Sequence, residues 1–306
     1  MADYRLVSYQ ADGGPRSGVV VVDRVHDLAA ITGVPKDATM LGFLADWETG
    51  QDRLDRALSA GPKGSGRPLA DARLLAPVPA PPAIYCAGAN YQDHVAEMNA
   101  RQGQEPEPDP HTLGLKPWHF IKASTAVTDP GAAIRLPKAS KAVDWEAELA
   151  AVIGRPAKDV AEGQALDHVA GYLVANDLSA RDLGMREQLP PTNLFRADWI
   201  GQKCFDGSCP LGPWIVPARE IPDPQNLAMK LWVNDVIKQD SNTARMIFTL
   251  AEQIAQLSSR ITLHPGDIVL TGTPAGVGAG RGEFLKPGDV VKVWIEKIGT
   301  LTNTMV

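Results

Sequence analysis

Cysteine is scarce in this chain. Three thiols, Cys86, Cys204 and Cys209, in 306 residues form an odd and sparse set, the opposite of a secreted disulfide framework, and point to a reducing cytoplasm. Zinc through Cys204 and Cys209 would need two further ligands beside a C-x4-C spacing, and no other His or Cys lies near them in sequence. Positive charge is also short. With 30 Lys plus Arg against 36 Asp plus Glu, a net charge of -6 and a pI near 5.5, the chain lacks the bulk positive field that a phosphate backbone demands, which excludes nucleic acid as a partner. Long apolar runs are missing, and the opening Met1-Ala2-Asp3-Tyr4-Arg5 has neither a basic n-region nor an apolar h-region, so neither a membrane span nor an export signal is expected. There is no G-x-x-x-x-G-K-[ST] phosphate cradle and no G-x-S-x-G nucleophile elbow. The glycines at 276, 278, 280 and 282 resemble a dinucleotide fingerprint, but Arg281 stands where its last glycine belongs and no helical pattern follows. They read as a flexible loop near a ligand.

What is present is enzyme-like. Hydrophobic residues at 44% and charged residues at 22% are ordinary for a globular chain of about two domains' length. Turn-rich residues 61–68 and the prolines at 77, 79, 81 and 82 make a stiff connector, dividing the chain into a small α/β unit, 1–76, and a larger unit, 77–306. The first holds a hairpin around Asp12-Gly13-Gly14, a strand Gly18 to Val22 and helices between 37 and 59. In the second, Val291, Val293 and Ile295 alternate with polar residues as a half-exposed strand requires. Met246, Ile247, Leu250, Ile254 and Leu257 recur at helical spacing over 243–258. Another helix is expected over 160–170, ending near Gly171, and the proline-bearing, charged residues 99–111 read as a mobile loop.

The most informative stretch is Val143 to Gly154, an apolar strand carrying Glu146 and Glu148 two residues apart. Both carboxylates then share one face, about 7 Å apart. Their repulsion and desolvation call for a cation between them, unless they are simply exposed on an edge strand. Oxygen-only ligation selects Mg²⁺, Mn²⁺ or Ca²⁺ over zinc. A second apolar run, Gly171 to Asp177, ends in a carboxylate well placed as a third ligand. Such a site leaves positions open for water or a chelating substrate. An anionic substrate needs cations, for which Lys122, Arg181 and Lys203 are the candidates, although a basic residue taken singly is more often a surface charge. Finally, His94 and Glu97 are neighbours on a short helix starting near Asn90 or Tyr91. They make either a general base with a tautomer-fixing carboxylate or an ordinary helix pair. The helix precedes the 99–111 loop and could close as a lid.

Taken in order, G-x-N-Y-x-x-H-x-x-E at Gly88 to Glu97, F-x-K-x-S-T at Phe120 to Thr125, D-W-E-x-E-L at Asp144 to Leu149, N-D-x-S-A-R-D at Asn176 to Asp182, K-x-F-D-x-x-x-P-L-G-P at Lys203 to Pro213 and T-G-T-P-x-G-V-G at Thr271 to Gly278 resemble the fumarylacetoacetate hydrolase family. The resemblance spans about residues 84–300. It implies an α+β fold, a mixed β-sandwich roll with a small N-terminal α/β domain, usually a homodimer. It also implies a Mg²⁺ or Mn²⁺ ion on Glu146, Glu148 and Asp177, with Ca²⁺ a substitute in a crystal. The implied substrate is a 2-oxo or β-diketo acid. Lys122, Arg181 and Thr273 then hold its carboxylate and oxygens, with Tyr91 at the substrate, while His94 and Glu97 activate water. Lys203 serves as the oxyanion partner as a carbon–carbon bond breaks and pyruvate leaves.

The expected activity is therefore a metal-dependent hydrolase of acylpyruvates or fumarylpyruvate. Oxaloacetate decarboxylase or tautomerase, 2-hydroxyhepta-2,4-diene-1,7-dioate-type isomerase, and a non-catalytic metabolite binder are the alternatives. Loss of hydrolysis but not of enolate formation in His94→Ala is the expected discriminator between the enzymatic readings. One departure bears on substrate choice. After N-D-x-S-A-R-D many relatives carry a Gln, whereas this chain has Gly184 followed by an insertion-like segment, Met185 to Asp198. The polar contact of that Gln is lost, with Arg186 or Arg196 as candidate substitutes.

Overall fold

The computed structural model of the chain describes residues 3–62, 64–105 and 107–306, apart from the side chain of Gln102. The connector and the 99–111 loop expected from sequence therefore lie partly outside the described residues, at Lys63 and Pro106. Strands β1 (Arg5–Ala11), β2 (Gly14–Val21) and β3 (Arg24–Asp27) form an antiparallel meander. The expected first turn closes on the Ala11↔Gly14 pair. Helices α1 (Leu28–Thr32), α2 (Met40–Leu44) and α3 (Trp47–Ser59) follow.

The rest of the chain runs β4 (Ile84–Ala87), α4 (Gln92–Gln102), β5 (His119–Lys122), β6 (Ala147–Ile153), α5 (Glu162–Ala165), β7 (Val169–Asn176), α6 (Trp199–Lys203), β8 (Cys209–Pro217), β9 (Ala228–Val233), β10 (Val236–Asn242), α7 (Leu250–Arg260), β11 (Ile268–Leu270), α8 (Gly278–Arg281), β12 (Val290–Ile295) and β13 (Gly299–Met305). One large mixed sheet has the order β3-β2-β1-β8-β7-β6-β11-β4-β5, and a second has the order β10-β9-β12-β13.

Alternation along the central strands builds two cores. On β6, Leu149, Ala151 and Ile153 face the second sheet and pack with Met229, Leu231, Val291 and Val293. Ala150 and Val152 face the other way, onto Ile84, Leu270 and the N-terminal Leu6, Phe43, Trp47 and Leu54. Fully burying one such aliphatic side chain contributes about 1.5–3 kcal/mol. The N-terminal meander is joined to this sheet through Leu6↔Ile215, and Ala76 and Val78 of the proline-rich stretch are wholly buried. Residues 3–76 thus share a core with the larger unit.

Three local expectations change. The amphipathic helix begins only at Leu250, because Thr249 and Glu252 form a reciprocal capping box that satisfies the free N–H groups of its first turn. The helix expected over 160–170 is a single turn, α5, with a 3-10 turn at Leu166–His168. Gly171 lies inside β7, where an added Cβ would meet the Val216 carbonyl oxygen at 2.3 Å, so strand pairing overrides the local helical pattern. The glycine-rich stretch contains a short helix, α8, at Gly278–Arg281. The half-exposed strand, β12, is present, with Val291, Val293 and Ile295 buried.

Candidate active site

The carboxylate strand is interrupted. Val143–Asp144 pairs with Ser179–Ala180, and β6 starts at Ala147, so Trp145 and Glu146 occupy the break. The β6–β7 register, Ala147↔Asn176 and Glu148↔Ala175, carries the chain ends forward so that Glu146 stands opposite Asp177. Carboxylate oxygens of Glu146, Glu148 and Asp177 lie within 4.8 Å of one another. These carboxylates are 5%, 1% and 0% exposed, and β6 is flanked by β7 and β11, which removes the reading of exposed glutamates on an edge.

Four buried carboxylates, counting Asp144, face three cations. Lys122 Nζ donates to Asp177 Oδ1 at 2.6 Å and to the Leu178 carbonyl at 3.1 Å. Lys203 Nζ spans Glu146 Oε2 and Asp177 Oδ2, both at 2.8 Å. Arg181 Nε donates to Asp144 Oδ2 at 2.9 Å, and its Nη2 donates to Glu146. Burial raises the Asp177 carboxyl, but the ammonium groups of Lys122 and Lys203 outweigh it and hold it at about 2. Burial lowers Lys203, and the Asp177 and Glu146 carboxylates outweigh that and raise it above its ordinary value.

Glu148 lacks such a partner among the described residues. It accepts the Gly272 N–H at 2.7 Å, and burial, reinforced by Asp177 and Glu146, pushes its carboxyl well up. Gly272 reaches that position with φ +92°, where a Cβ would meet Asn90 Cβ at 2.9 Å. An all-oxygen donor set with one uncompensated buried carboxylate fits a hard divalent cation.

A cavity of about 170 Å³ opens above the triad, lined by Gly88, His94, Trp118, Phe120, Glu146, Glu148, Arg181, Trp199, Gln202, Lys203 and Thr273, among others. Larger concavities exist. One of about 500 Å³, lined by Trp232, Trp294, Lys230 and Lys292, lies on the second sheet. It has no convergence of buried ionisable groups, so the chemistry argues for the smaller one. Trp199 stacks on Phe120 at 5.4 Å between centroids and 13° between planes, and Trp118 meets Trp199 edge-on at 5.4 Å. Trp118 closes over Gly88, where an added Cβ would lie 2.0 Å from its ring.

At the mouth, His94 Nδ1 is 3.8 Å from Glu97 Oε2. Burial raises Glu97, but His94 and the Gly276 N–H more than offset it, so this carboxyl lies below its ordinary value. Thr273 Oγ1 accepts from Gln239 Nε2 at 2.9 Å, which leaves its own hydrogen to donate.

Six of the ten residues singled out from sequence line the cavity, namely Glu146, Glu148, Arg181, Lys203, Thr273 and His94, while Asp177 completes the triad beneath it and Glu97 stands beside His94. The other two stand farther back. Tyr91 is fully buried in the core with its hydroxyl 3.3 Å from Met229 Sδ, and Lys122 sits behind Asp177. Neither proposed substitute for the missing Gln reaches the cavity, because Arg186 binds Asp198 and the Phe195 carbonyl while Arg196 binds the Leu189 carbonyl. Sequence reasoning passed over Asp144, which anchors Arg181 and accepts from Gly278 and Ala279 N–H. Its two-residue spacing from Glu146 was the available signal. Gln202, Trp118 and Trp199 carried none.

An α+β fold whose central strands present a buried carboxylate triad, flanked by cations, to a small cavity has the make-up of a small-molecule enzyme with a candidate divalent-cation site. Residues 83–306 match the model of the family described as Fumarylacetoacetate (FAA) hydrolase C-terminal, and the chain belongs to the fumarylacetoacetate hydrolase family. It is 39% identical over 309 residues to "Oxaloacetate tautomerase fahd2, mitochondrial" of Xenopus laevis, covering 99% of this chain and 90% of that protein. Among solved structures it resembles maleylpyruvate hydrolase from Sphingobium sp. SYK-6 in complex with manganese (II) ion and pyruvate, with TM-score 0.75, 32% identity and coverage of 99% of this chain and 98% of that one. It also resembles 2-hydroxyhepta-2,4-diene-1,7-dioate isomerase from Mycobacterium marinum, with TM-score 0.71, 32% identity and the same coverage. No helix among the described residues is long and apolar enough to cross a membrane.

Proposed function

We propose that this protein is a divalent-cation-dependent tautomerase of a short 2-oxo dicarboxylic acid of the oxaloacetate type. The observation that carries the reading is the size of the cavity. About 170 Å³ lies below the roughly 300–1,000 Å³ of pockets for drug-sized ligands and near the ~150 Å³ that holds a single benzene. A four-carbon diacid suits this volume better than a long acylpyruvate. The near-complete coverage of the Xenopus tautomerase supports the same choice.

In this assignment Glu146, Glu148 and Asp177 hold the cation, Mg²⁺ or Mn²⁺. When bound, it supplies a Lewis acid that lowers the cost of negative charge on the 2-oxo oxygen. Arg181 and Thr273 hold the substrate carboxylate, using donors that Asp144, Glu146 and Gln239 leave free. Lys203 spends two of its three N–H donors on Glu146 and Asp177 and keeps one for the enolate oxygen. Lys122 positions Asp177 from behind. His94, with Glu97 on its Nδ1 side, moves the proton at carbon 3 through Nε2. Tyr91 serves as a packing anchor at the start of α4. The homodimer implied by the resemblance belongs to the same proposal, as does a reducing cytoplasmic compartment.

Hydrolysis of an acylpyruvate is the second reading, favoured by the His94–Glu97 pair and by the maleylpyruvate hydrolase neighbour. Enolisation and hydrolysis both move a proton, so substrate choice separates them more sharply than loss of His94. The test is the Mn²⁺-loaded protein with enol-oxaloacetate, following the enol absorbance and assaying pyruvate, beside acetylpyruvate and fumarylpyruvate. EDTA-sensitive loss of the enol band without pyruvate, slowed about 10²–10⁴-fold in His94→Ala, is the expected result. Pyruvate released rapidly from an acylpyruvate would overturn it in favour of the hydrolase.

A further inference from the structure

Gly184 has no backbone reason to be glycine. Its φ of -79° and ψ of -27° lie in the right-handed region open to every residue. The demand is spatial. A Cβ there would lie 2.4 Å from Oε1 and 2.8 Å from Cδ of Gln202, so the bare α-carbon makes room for the Gln202 carboxamide. The segment 185–198 delivers that carboxamide. Its ends are pinned together by the Asp198 N–H on the Gly184 carbonyl at 2.9 Å and by the Met185↔Ala197 bridge. Asp198 then caps α6 through the Gly201 N–H at 2.8 Å while Arg186 holds its other oxygen at 2.6 Å. Adjacent residues on a helix point about 100° apart. Lys203 accordingly turns to the carboxylates, and Gln202 takes the wall above Gly184, where it lines the cavity. Among the described residues the carboxamide has no hydrogen-bond partner.

We propose that Gln202 is a specificity-determining residue that binds the substrate's distal carboxylate, the one remote from the 2-oxo acid group. The bare α-carbon at 184 and the segment 185–198 together set this carboxamide in the cavity wall. The donors that Arg181 and Lys203 keep free serve the 2-oxo acid end, so the neutral amide is left to read the second carboxylate without adding charge. This rests on the reading of the substrate as a short 2-oxo dicarboxylate.

The test measures binding of pyruvate, which lacks the distal group, and of oxaloacetate to the Mn²⁺-loaded protein by calorimetry, in parallel with the enol assay. A hydrogen bond to a charged group is worth about 1.5–3 kcal/mol, or roughly 10- to 150-fold. Gln202→Ala is expected to weaken oxaloacetate at least about 10-fold while leaving pyruvate unchanged. Gln202→Glu keeps the shape over Gly184 and is expected to reject oxaloacetate more strongly still. Equal weakening of both ligands, or of neither, overturns the assignment. Selective loss in a protein that does not accelerate enol decay sinks the tautomerase reading and keeps this one, whereas an active tautomerase indifferent to Gln202→Ala does the reverse.

Discussion

The Asp177 N–H donates to the Glu146 carbonyl at 2.9 Å, and Lys203 Nζ spans the two side chains at 2.8 Å each. Two carboxylates far apart in sequence are thereby held as neighbours by backbone register as well as by charge. Glu148, two residues along the same strand, receives no cation among the described residues, and this asymmetry sets the first expectation.

Glu148→Gln keeps an oxygen for the Gly272 N–H while deleting the uncompensated charge. Mn²⁺ affinity, measured by calorimetry, is expected to fall by more than about 100-fold, while the metal-free protein gains about 1–3 kcal/mol in urea unfolding at pH 8. Undiminished Mn²⁺ binding would show that the triad is not the cation site.

Lys203→Met removes the ammonium between Glu146 and Asp177 and leaves buried negative charge unmatched. The expected cost is about 3–5 kcal/mol of stability, read by urea unfolding near neutral pH. At low pH the penalty shrinks, because protonated carboxyls no longer need the cation. A penalty independent of pH would place the role of Lys203 in packing.

Gly88→Ala sets a methyl group against the Trp118 ring, 2.0 Å from its nearest atom. Trp118 is expected to swing from its edge-on position against Trp199, shifting tryptophan emission and lowering kcat/KM by about 10-fold or more, as misplacement at a site of this kind does. Unchanged emission and rate would mean that the cavity does not depend on Trp118.

His111 ring nitrogens lie 2.9 Å from Glu252 Oε1 and 2.9 Å from Asp109 Oδ1. These hydrogen bonds, Glu252 first, raise its pKa above the ordinary 6.5. A raised folded-state value means that protonation favours the folded tether. Its contribution is fully present below 6.5 and is lost as pH rises through the higher folded value. Amide exchange at 110–116 is expected to quicken over that interval, and in His111→Ala to be fast already at low pH. An NMR titration of His111 at or below 6.5 would refute the tether.

Chemistry with a short period was legible in the chain itself. The carboxylate closing the 171–177 run, the i to i+3 pair of His94 and Glu97 and the alternation of β12 follow from the geometry of single elements, which sequence determines locally. Glu146 and Glu148 were legible as a pair, but not the break in the strand that places Glu146 outside β6. The helix starting at Leu250 was legible except for its boundary, because the Thr249–Glu252 box outweighs the apolar repeat that precedes it.

Tertiary structure decided what depends on partners distant in sequence. Tyr91 and Lys122 stand in sequence motifs beside lining residues, yet packing against Met229 and pairing with Asp177 withdraw them from the cavity. Gln202 carried no sequence signal because its position depends on the bare α-carbon of Gly184 and on a segment that leaves at Gly184 and returns to it at Asp198. Local periodicity reports which face a residue occupies. Only the folded arrangement reports what stands opposite that face, and burial makes that neighbour decide the charge, orientation and role of each group.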